Sequence, residues 1–270
     1  MNFGWFSTGR DEAAIKLLKI VLDAIKKGKI KGDISYLFSN REKGEDKESD
    51  KFLDFVDSVG IKIITLSSKR FMPKLKEKGK TNSFFKKKWR ILYDREIDKR
   101  INQYHVEYII LAGYMLIVGD ELCKKYKMIN LHPAMPGGPK GSWQEVIWQL
   151  IEQKATSSGV MMHLVTPKLD AGPVITYCSY SIMDENLKPL WEEANSILEK
   201  EGIDGIKKRG ENLPLFMAIR ERGLKREFPL IVSTIEILSK NKISFENGVL
   251  VDENGNRIKN GYDLSDKIEI

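Results

Sequence analysis

The chain has 270 residues and a mass of 31.0 kDa, enough for one large α/β domain or two small ones with an ample core. Hydrophobic residues make up 41% and charged residues 31%; Lys16 and Lys19 interrupt the first apolar stretch, so neither a signal peptide nor a membrane span is expected. The 45 basic residues exceed the 38 acidic ones for a net charge of +7, which suits nucleic acid and equally an enzyme that handles phosphorylated or polyanionic small molecules. Cys123 and Cys178 show no metal-ligand spacing, which points to a reducing cytoplasm and no metal.

Strand and helix patterns alternate through the first half, as in a parallel sheet covered on both faces. Asn2–Ser7 reads as the first strand and Thr8-Gly9-Arg10-Asp11 as a turn. The helix beyond carries Ala14, Leu17, Leu18, Val21 and Ile25 on one face. Ile34–Ser39 is the second strand. After a polar loop over 40–48, Phe52, Phe55, Val56 and Val59 mark a second helix, and Ile61–Leu66 a third strand. Lys74 to Arg90 is dominated by lysine, with Phe84, Phe85 and Trp89 interleaved. It reads as a solvated insert, with nucleic-acid contact as the minor alternative. Tyr93–Tyr104 forms a third helix and Tyr108–Leu111 a fourth strand, closed by Ala112-Gly113-Tyr114-Met115. A glycine directly after a buried strand lets a ligand or another backbone come close.

Asn130 and His132 are two apart in an extended segment and therefore point the same way. Pro133 keeps His132 extended, and the Pro136–Gly141 run is a loop. Ser142 and Glu145 form a capping box for a helix whose apolar face is Trp143, Val146, Ile147, Leu150 and Ile151. Gly159–Thr166 reads as a buried strand, Pro167–Pro173 as a tight loop carrying Asp170, and Val174–Tyr180 as the next strand. From Met183 to Arg222 the chain reads as extra helical material interrupted by Gly202, Gly205 and Gly210. The cluster of Arg220, Arg222, Lys225 and Arg226 most often faces solvent, with a phosphate as the alternative partner. Lys242–Phe245 and Val249–Asp252 form a hairpin around Asn247-Gly248. In a doubly wound sheet the ligand crevice lies beyond the carboxyl ends of the strands, where their order reverses. Gly9, Gly113 and Asn130 all fall at such ends.

Asn130-x-His132-Pro133, the Gly/Pro loop, the capped helix and His163–Ile175 resemble the core of the folate-dependent formyltransferases, most closely the branch that formylates glycinamide ribonucleotide. Arg90-x-x-Tyr93-Asp94-Arg95-Glu96 and Leu111–Val118 are similar to that family's folate-holding segments. The resemblance implies an α/β, Rossmann-like, doubly wound, mostly parallel sheet with a C-terminal helix and β-hairpin. It implies a single domain over residues 1–270 with inserts near 67–89 and 183–222. The activity it implies is formyl transfer from 10-formyltetrahydrofolate to glycinamide ribonucleotide in purine synthesis, in the cytoplasm and without a metal. Asn130, His132 and Asp170 would then be catalytic. Arg90, Met115, Leu116, Ile117, Val118 and Asn130 would hold the folate, Arg90 at its charged tail, and Gly9, Arg10, Asp11 and Gly113 would meet the phosphorylated amine. His163 has a structural counterpart in the family, and His105 is expected to be exposed.

Three departures bear on the acceptor. Thr8-Gly9-Arg10-Asp11-Glu12 stands where the family has a Gly-Ser-Asn phosphate loop, Leu116 where it usually has arginine, and Ser142-Trp143 in place of a histidine-containing segment. Acidic residues at a helix N-terminus compete with a phosphate for the same amides, unless Arg10 compensates. Another amine such as an amino sugar, or hydrolysis to formate, is therefore the alternative reaction. A catalytically idle folate-binding or nucleic-acid-binding module is the alternative of a different class, and a homodimer is an open expectation.

The residue types suit the chemistry. Formyl transfer from a folate nitrogen to an amine passes through a tetrahedral oxyanion, for which an Asn amide and a protonated imidazole are fitting donors. A carboxylate at Asp170 would favour the charged form of His132 and could relay the amine's proton through water. Neither cysteine has a recognisable partner and Ser142 is a cap, so no covalent intermediate is implied. Read without the resemblance, an Asn-x-His pair and one Asp are a weak signal.

Overall fold

The structure is a computed structural model that describes residues 1–246 and 249–268; the expected Asn247-Gly248 turn lies outside the described residues. The chain divides into two compact units. The first comprises residues 1–131, 164–172 and 235–242, the second 132–163, 173–234 and 243–270.

The first unit is built on parallel strands β1 (Asn2–Phe6), β2 (Asp33–Ser39), β3 (Ile63–Thr65), β4 (Tyr108–Leu111) and β5 (Met128–His132). They stand in the order β5-β4-β1-β2-β3. The chain moves outward from β1 to β3 and then returns to the other side of β1, so the order reverses between β1 and β4. Right-handed crossovers in opposite directions place their helices on opposite faces. Helices α1 (Glu12–Lys26) and α2 (Lys47–Ser58) pack on one another, as do α4 (Ser83–Ile101) and α5 (Asp120–Lys125). Strands covered on both faces read as continuous apolar runs: Phe3, Trp5, Phe6, Ile109 and Ile110 are all buried.

The lysine-rich segment is where expectation and structure differ most. It is helical: α3 (Pro73–Thr81) precedes α4, which starts at Ser83 rather than at Tyr93. Asn82 Oδ1 caps α4 by accepting from the amides of Phe84 and Phe85 (2.9 and 3.4 Å). Trp89 is buried, stacked on Tyr93 at 4.7 Å, with its Nε1 donating to the Phe71 carbonyl at 2.9 Å. Lysine is a good helix former, and the hairpin is seated by Trp89 together with Phe71 and Leu75, which pack into the core that Tyr93, Ile97 and Ile101 continue along α4. Helix α5 was not anticipated, and β3 is shorter than expected.

The second unit holds α6 (Trp143–Glu152), β6 (Ser157–Leu164), β7 (Val174–Ser181), α7 (Lys188–Lys208), most of α8 (Pro214–Ser239), the antiparallel hairpin β8 (Ile243–Glu246) and β9 (Val249–Asp252), and β10 (Tyr262–Asp263). Strands β6 and β7 are antiparallel and β10 joins β7 in parallel. The capping box at Ser142 is present, with Val146, Ile147, Leu150 and Ile151 buried and Trp143 half-buried. Those side chains share one core with Ile182, Trp191, Ala194, Ile206 and Phe216, so the helical stretch after β7 helps build that core. Gly202 (φ +67°) kinks α7 and Gly210 (φ +70°) follows its end, whereas Gly205 stays helical. The fold is thus α/β and mostly parallel, with a C-terminal helix and β-hairpin. Among the described residues no helix is long and apolar enough to cross a membrane.

Candidate functional site

At the switch point of the first unit, side chains and amides at the carboxyl ends of β1, β2 and β4 tie three loops together. Thr8 N donates to the Gly113 carbonyl at 3.1 Å. Thr8 Oγ1 donates to Asn40 Oδ1 at 2.7 Å and accepts from Met115 N at 2.9 Å. Ser49 Oγ donates to the carbonyls of Thr8 and Gly9 (3.1 and 3.0 Å) and accepts from Arg41 Nη1 at 2.7 Å. Arg41 is held in turn by Asp46 at 2.9 Å. Gly9 (φ +63°) cannot be replaced easily, since a Cβ there would lie 2.6 Å from the Phe52 ring. Sequence reasoning singled out Gly9 and Gly113, noted Ser39-Asn40-Arg41 as similar to a family loop without giving it a role, and missed the parts played by Thr8 and Ser49. Their signal, small polar residues at strand ends and at the start of a helix, is too common to read alone.

Asp11, expected to meet the acceptor, is the N-cap of α1 and accepts from Ala13 N at 3.1 Å. Its carboxylate therefore already occupies the helix N-terminus. Arg10 beside it is half-buried. The segment expected to hold a folate splits by side. Met115 and Ile117 are 42% and 48% exposed, whereas Leu116 and Val118 pack into the core. Two exposed apolar side chains two residues apart make a small greasy patch beside the Gly113 turn.

Arg90, also predicted, lies on α4 with its guanidinium 5.6 Å from the Trp89 ring centre. Its Nη1 is buried with no hydrogen-bond partner. One turn on, Asp94 is buried and accepts from Gly119 N at 2.6 Å. Burial pushes the Asp94 carboxyl up to about 6, against the opposing pull of Arg90 and of the Gly119 amide. A Cβ at Gly119 would collide with Asp94 Oδ2 and press on Arg90 Cγ. Position 119 thus needs glycine so that α4 can lie against the segment following Val118. Sequence reasoning named Asp94 only as part of the folate-holding motif and gave it no role of its own.

Asn130 is half-buried in the middle of β5 rather than at its end as expected, in register with Leu111 of β4. His132, two residues on, is 2% exposed, and its Nε2 lies 2.9 Å from the Pro139 carbonyl. A carbonyl can only accept, so Nε2 carries a proton. The His163 ring stands nearly perpendicular, 6.1 Å from that of His132. Asp170 is half-buried with a left-handed backbone (φ +45°) in the turn between β6 and β7. The segment that carries it is tied to β5 by Val165 N donating to the Met128 carbonyl at 2.8 Å.

Other candidates fall away. Burial pushes both cysteine thiols up to about 11, which keeps them protonated and poorly nucleophilic. The basic cluster on α8 is spent on structure. Arg220 pairs with Glu227 at 2.7 Å over the Trp143 ring, Arg222 with Asp184, and Lys225 with Glu221 at 2.8 Å, while Arg226 stacks on Tyr180. Among the described residues no group of three or more His, Cys, Asp or Glu could hold a metal ion. A cavity of about 460 Å³ in the second unit is lined by Met135, Thr156, Ser157, Ser179, Tyr180, Ser181 and Met183, none of them a predicted site residue.

Comparison with known proteins bears on the family. The formyl transferase family model matches residues 13–203. The phosphoribosylglycinamide formyltransferase of Escherichia coli (strain K12) is 30% identical over 161 residues, which cover 58% of this chain and 64% of that protein. That of Dictyostelium discoideum is 28% identical over 201 residues, covering 70% and 90%. In fold the chain is similar to a phosphoribosylglycinamide formyltransferase structure from Coxiella burnetii (TM-score 0.69, 18% identity, 97% and 98% of the two chains). It is also similar to a formyltetrahydrofolate deformylase from Pseudomonas syringae pv. tomato (TM-score 0.62, 17% identity, 93% and 65%). With the family model matching well over half of its length, the chain belongs to the formyl transferase family.

Proposed function

We propose that this protein transfers the formyl group of 10-formyltetrahydrofolate to the amine of glycinamide ribonucleotide, a step of purine synthesis in the cytoplasm. What supports the reading is the Asn130-x-His132 motif in the sequence of β5, in a chain of the formyl transferase family. Relatives named phosphoribosylglycinamide formyltransferase support the choice of acceptor. In this reading the Asn130 amide and the His132 imidazolium donate to the tetrahedral oxyanion, and Asp170 accepts the proton that the attacking amine must lose. Met115 and Ile117 offer side chains to the pteridine, while Leu116 and Val118 support that surface from within. Arg90, with a donor that lacks an acceptor, fits a carboxylate of the folate tail. Gly9, Arg10 and Gly113 border the acceptor. Asp11 shapes that end of the site as a cap, leaving Arg10 as the cation for a phosphate.

Capping of α1 by Asp11 favours one second reading, hydrolysis of the same donor to formate, because hydrolysis needs no phosphate site. Incubation of the protein with 10-formyltetrahydrofolate and either glycinamide ribonucleotide, an amino sugar or no amine separates the two. Formylated ribonucleotide is the expected product. Formate released at the same rate without amine would replace transfer by hydrolysis, and no consumption of donor under any condition would end both readings.

A further inference from the structure

The loop between β5 and α6 is made of residues that hold themselves poorly. Pro136-Gly137-Gly138-Pro139-Lys140-Gly141 contains three glycines, two of them with a left-handed backbone (Gly137 φ +78°, Gly141 φ +113°). A Cβ on Gly137 would meet nothing within 4 Å, and glycine has the most conformational freedom to lose. Yet this loop presents the Pro139 carbonyl to His132 Nε2 at 2.9 Å. Its first half is closed by Gly138 N donating to the Met135 carbonyl at 2.9 Å. Its second half is fastened to α6: Gln149 Nε2 donates to the Lys140 carbonyl at 3.0 Å, and Ser142 N to Glu145 Oε2 at 2.6 Å. The place of the Pro139 carbonyl thus follows the place of the start of α6.

That start is held in turn by a largely buried ion pair. Trp143, the first residue of α6, lies under the guanidinium of Arg220, whose Cζ is 4.4 Å from the ring centre, and the Phe216 ring stands 5.8 Å away. Arg220 Nη1 donates to Glu227 Oε1 at 2.7 Å, with the two side chains 17% and 8% exposed. Both belong to α8, so one helix carries the whole clamp. Desolvating such a pair costs about what its attraction returns, and apolar side chains of similar volume often serve stability as well. What the pair adds is geometry: a planar guanidinium fixed by a carboxylate lies over an indole, and the attraction strengthens away from water. Ser142-Trp143 replaces the family's histidine-containing segment, so the clamped ring is a feature of this chain's own. His132, Pro139, Trp143, Arg220 and Glu227 all lie in the second unit.

We propose that Arg220 is a positioning residue for His132. Held by Glu227, it keeps Trp143 in one orientation, and the start of α6 then keeps the Pro139 carbonyl on Nε2. The imidazole cannot turn without losing that acceptor. The inference rests on the reading of His132 as a donor to the oxyanion, where a misplacement of about 1 Å can cost about a hundredfold. Arg220 acts through the loop, so substrate binding is spared while turnover depends on it.

The test follows the ring proton of His132 by NMR in the full chain with isotope-labelled histidine, alongside steady-state kinetics. His132→Asn identifies the signal among those of the three histidines. In R220M/E227Q, which removes both charges and leaves neither unpaired, the Nε2 proton should exchange with water about tenfold faster or more, because local opening controls that rate. The kcat of formyl transfer should fall about tenfold or more, with both KM values within about twofold of wild type. R220K keeps a cation for the ring and should stay within about threefold of wild type in exchange and kcat. If the double variant fails to fold, W143F, whose ring attracts a cation less than an indole does, should still quicken exchange about threefold. A folded double variant with wild-type exchange and kcat would overturn the inference. A lower thermal midpoint with neither of them changed would do the same, by making the pair an element of stability only. Faster exchange with wild-type kcat would uphold the clamp and overturn instead the reading of His132 as the oxyanion donor. A wild-type protein without formyl transfer would end that reading as well, and the exchange rates would still decide the clamp.

Discussion

Arg90 and Asp170 are side chains on which the proposed chemistry can be tested one at a time, and Asp94 is one on which the stability of the fold can be. Arg90→Ala removes a group that would bind the donor equally in ground and transition states. The donor KM should therefore rise about tenfold or more, with kcat changed far less; steady-state kinetics with varied donor checks this, and an unchanged KM would detach Arg90 from the folate. Asp170→Asn keeps shape and removes charge. Formyl transfer near neutral pH should fall on the order of a hundredfold, the usual scale for a lost proton-transfer group, and wild-type turnover in the variant would remove Asp170 from the mechanism. Asp94 acts on stability. Its carboxyl pKa is raised to about 6 in the folded protein against the ordinary 3.8, so the folded state holds a proton that the unfolded state has already lost. Stability due to this group is therefore present below the unfolded value and declines as pH rises through about 6. Asp94→Asn, which can still accept from the Gly119 amide, should lack that decline. Urea midpoints from pH 4 to 7 should shift in favour of the variant by an amount equivalent to about 2–3 kcal/mol at most.

At the scale of elements, the loops between strands do more of the positioning than the strands do. The turn that carries Asp170 is closed at Gly172, where a Cβ would run into the Leu164 carbonyl. Gly172→Ala should therefore displace the turn and lower formyl transfer more than it lowers the thermal midpoint. Equal losses in both, measured on the same preparation, would mean that the turn is simply part of the fold's stability. The crest formed by Thr8, Asn40, Ser49 and Met115 shows the same principle without charge. A buried hydroxyl that both donates and accepts holds two loops at once, and each bond left unmade would cost about 1–3 kcal/mol. Much of that crest was illegible beforehand because its partners are 32 and 107 residues apart. The α3–α4 hairpin was misread for a different reason: its lysines hide the helical period, and the residues that seat it, Trp89 and Phe71, meet only after the chain has turned back.

For the molecule as a whole, burial and charge are unevenly distributed. Strands β1 and β4 lie in the middle of the first unit's sheet with apolar side chains buried on both faces. Their amides should be the last to exchange with deuterium, whereas α3 and the first turns of α4, rich in exposed lysine, should exchange early. Hydrogen exchange followed by mass spectrometry checks the order, and early exchange of β1 would contradict the assignment of the core. Charge runs the other way, since the net +7 is carried by the hairpin alone. The overall sign of the protein therefore says little about most of its surface.

What the sequence by itself determined was the alternation of strands and helices, the loops after β1 and β4 that carry Gly9 and Gly113, and the capped start of α6. All of these are written in local periodicity or in neighbours a few residues apart. The expectation that Asn130, His132 and Asp170 act together rests on the spacing of a family motif. Only the tertiary structure decided which side chains were spent on the fold. It made Asp11 a helix cap, turned the α8 arginines into partners for nearby carboxylates and rings, divided Met115–Val118 into two outward and two inward side chains, and set Asp94 beneath Gly119. The reason is physical. A residue's type limits what it can donate, accept or bury, but whether that capacity is already satisfied depends on partners that only the folded chain brings within hydrogen-bond reach.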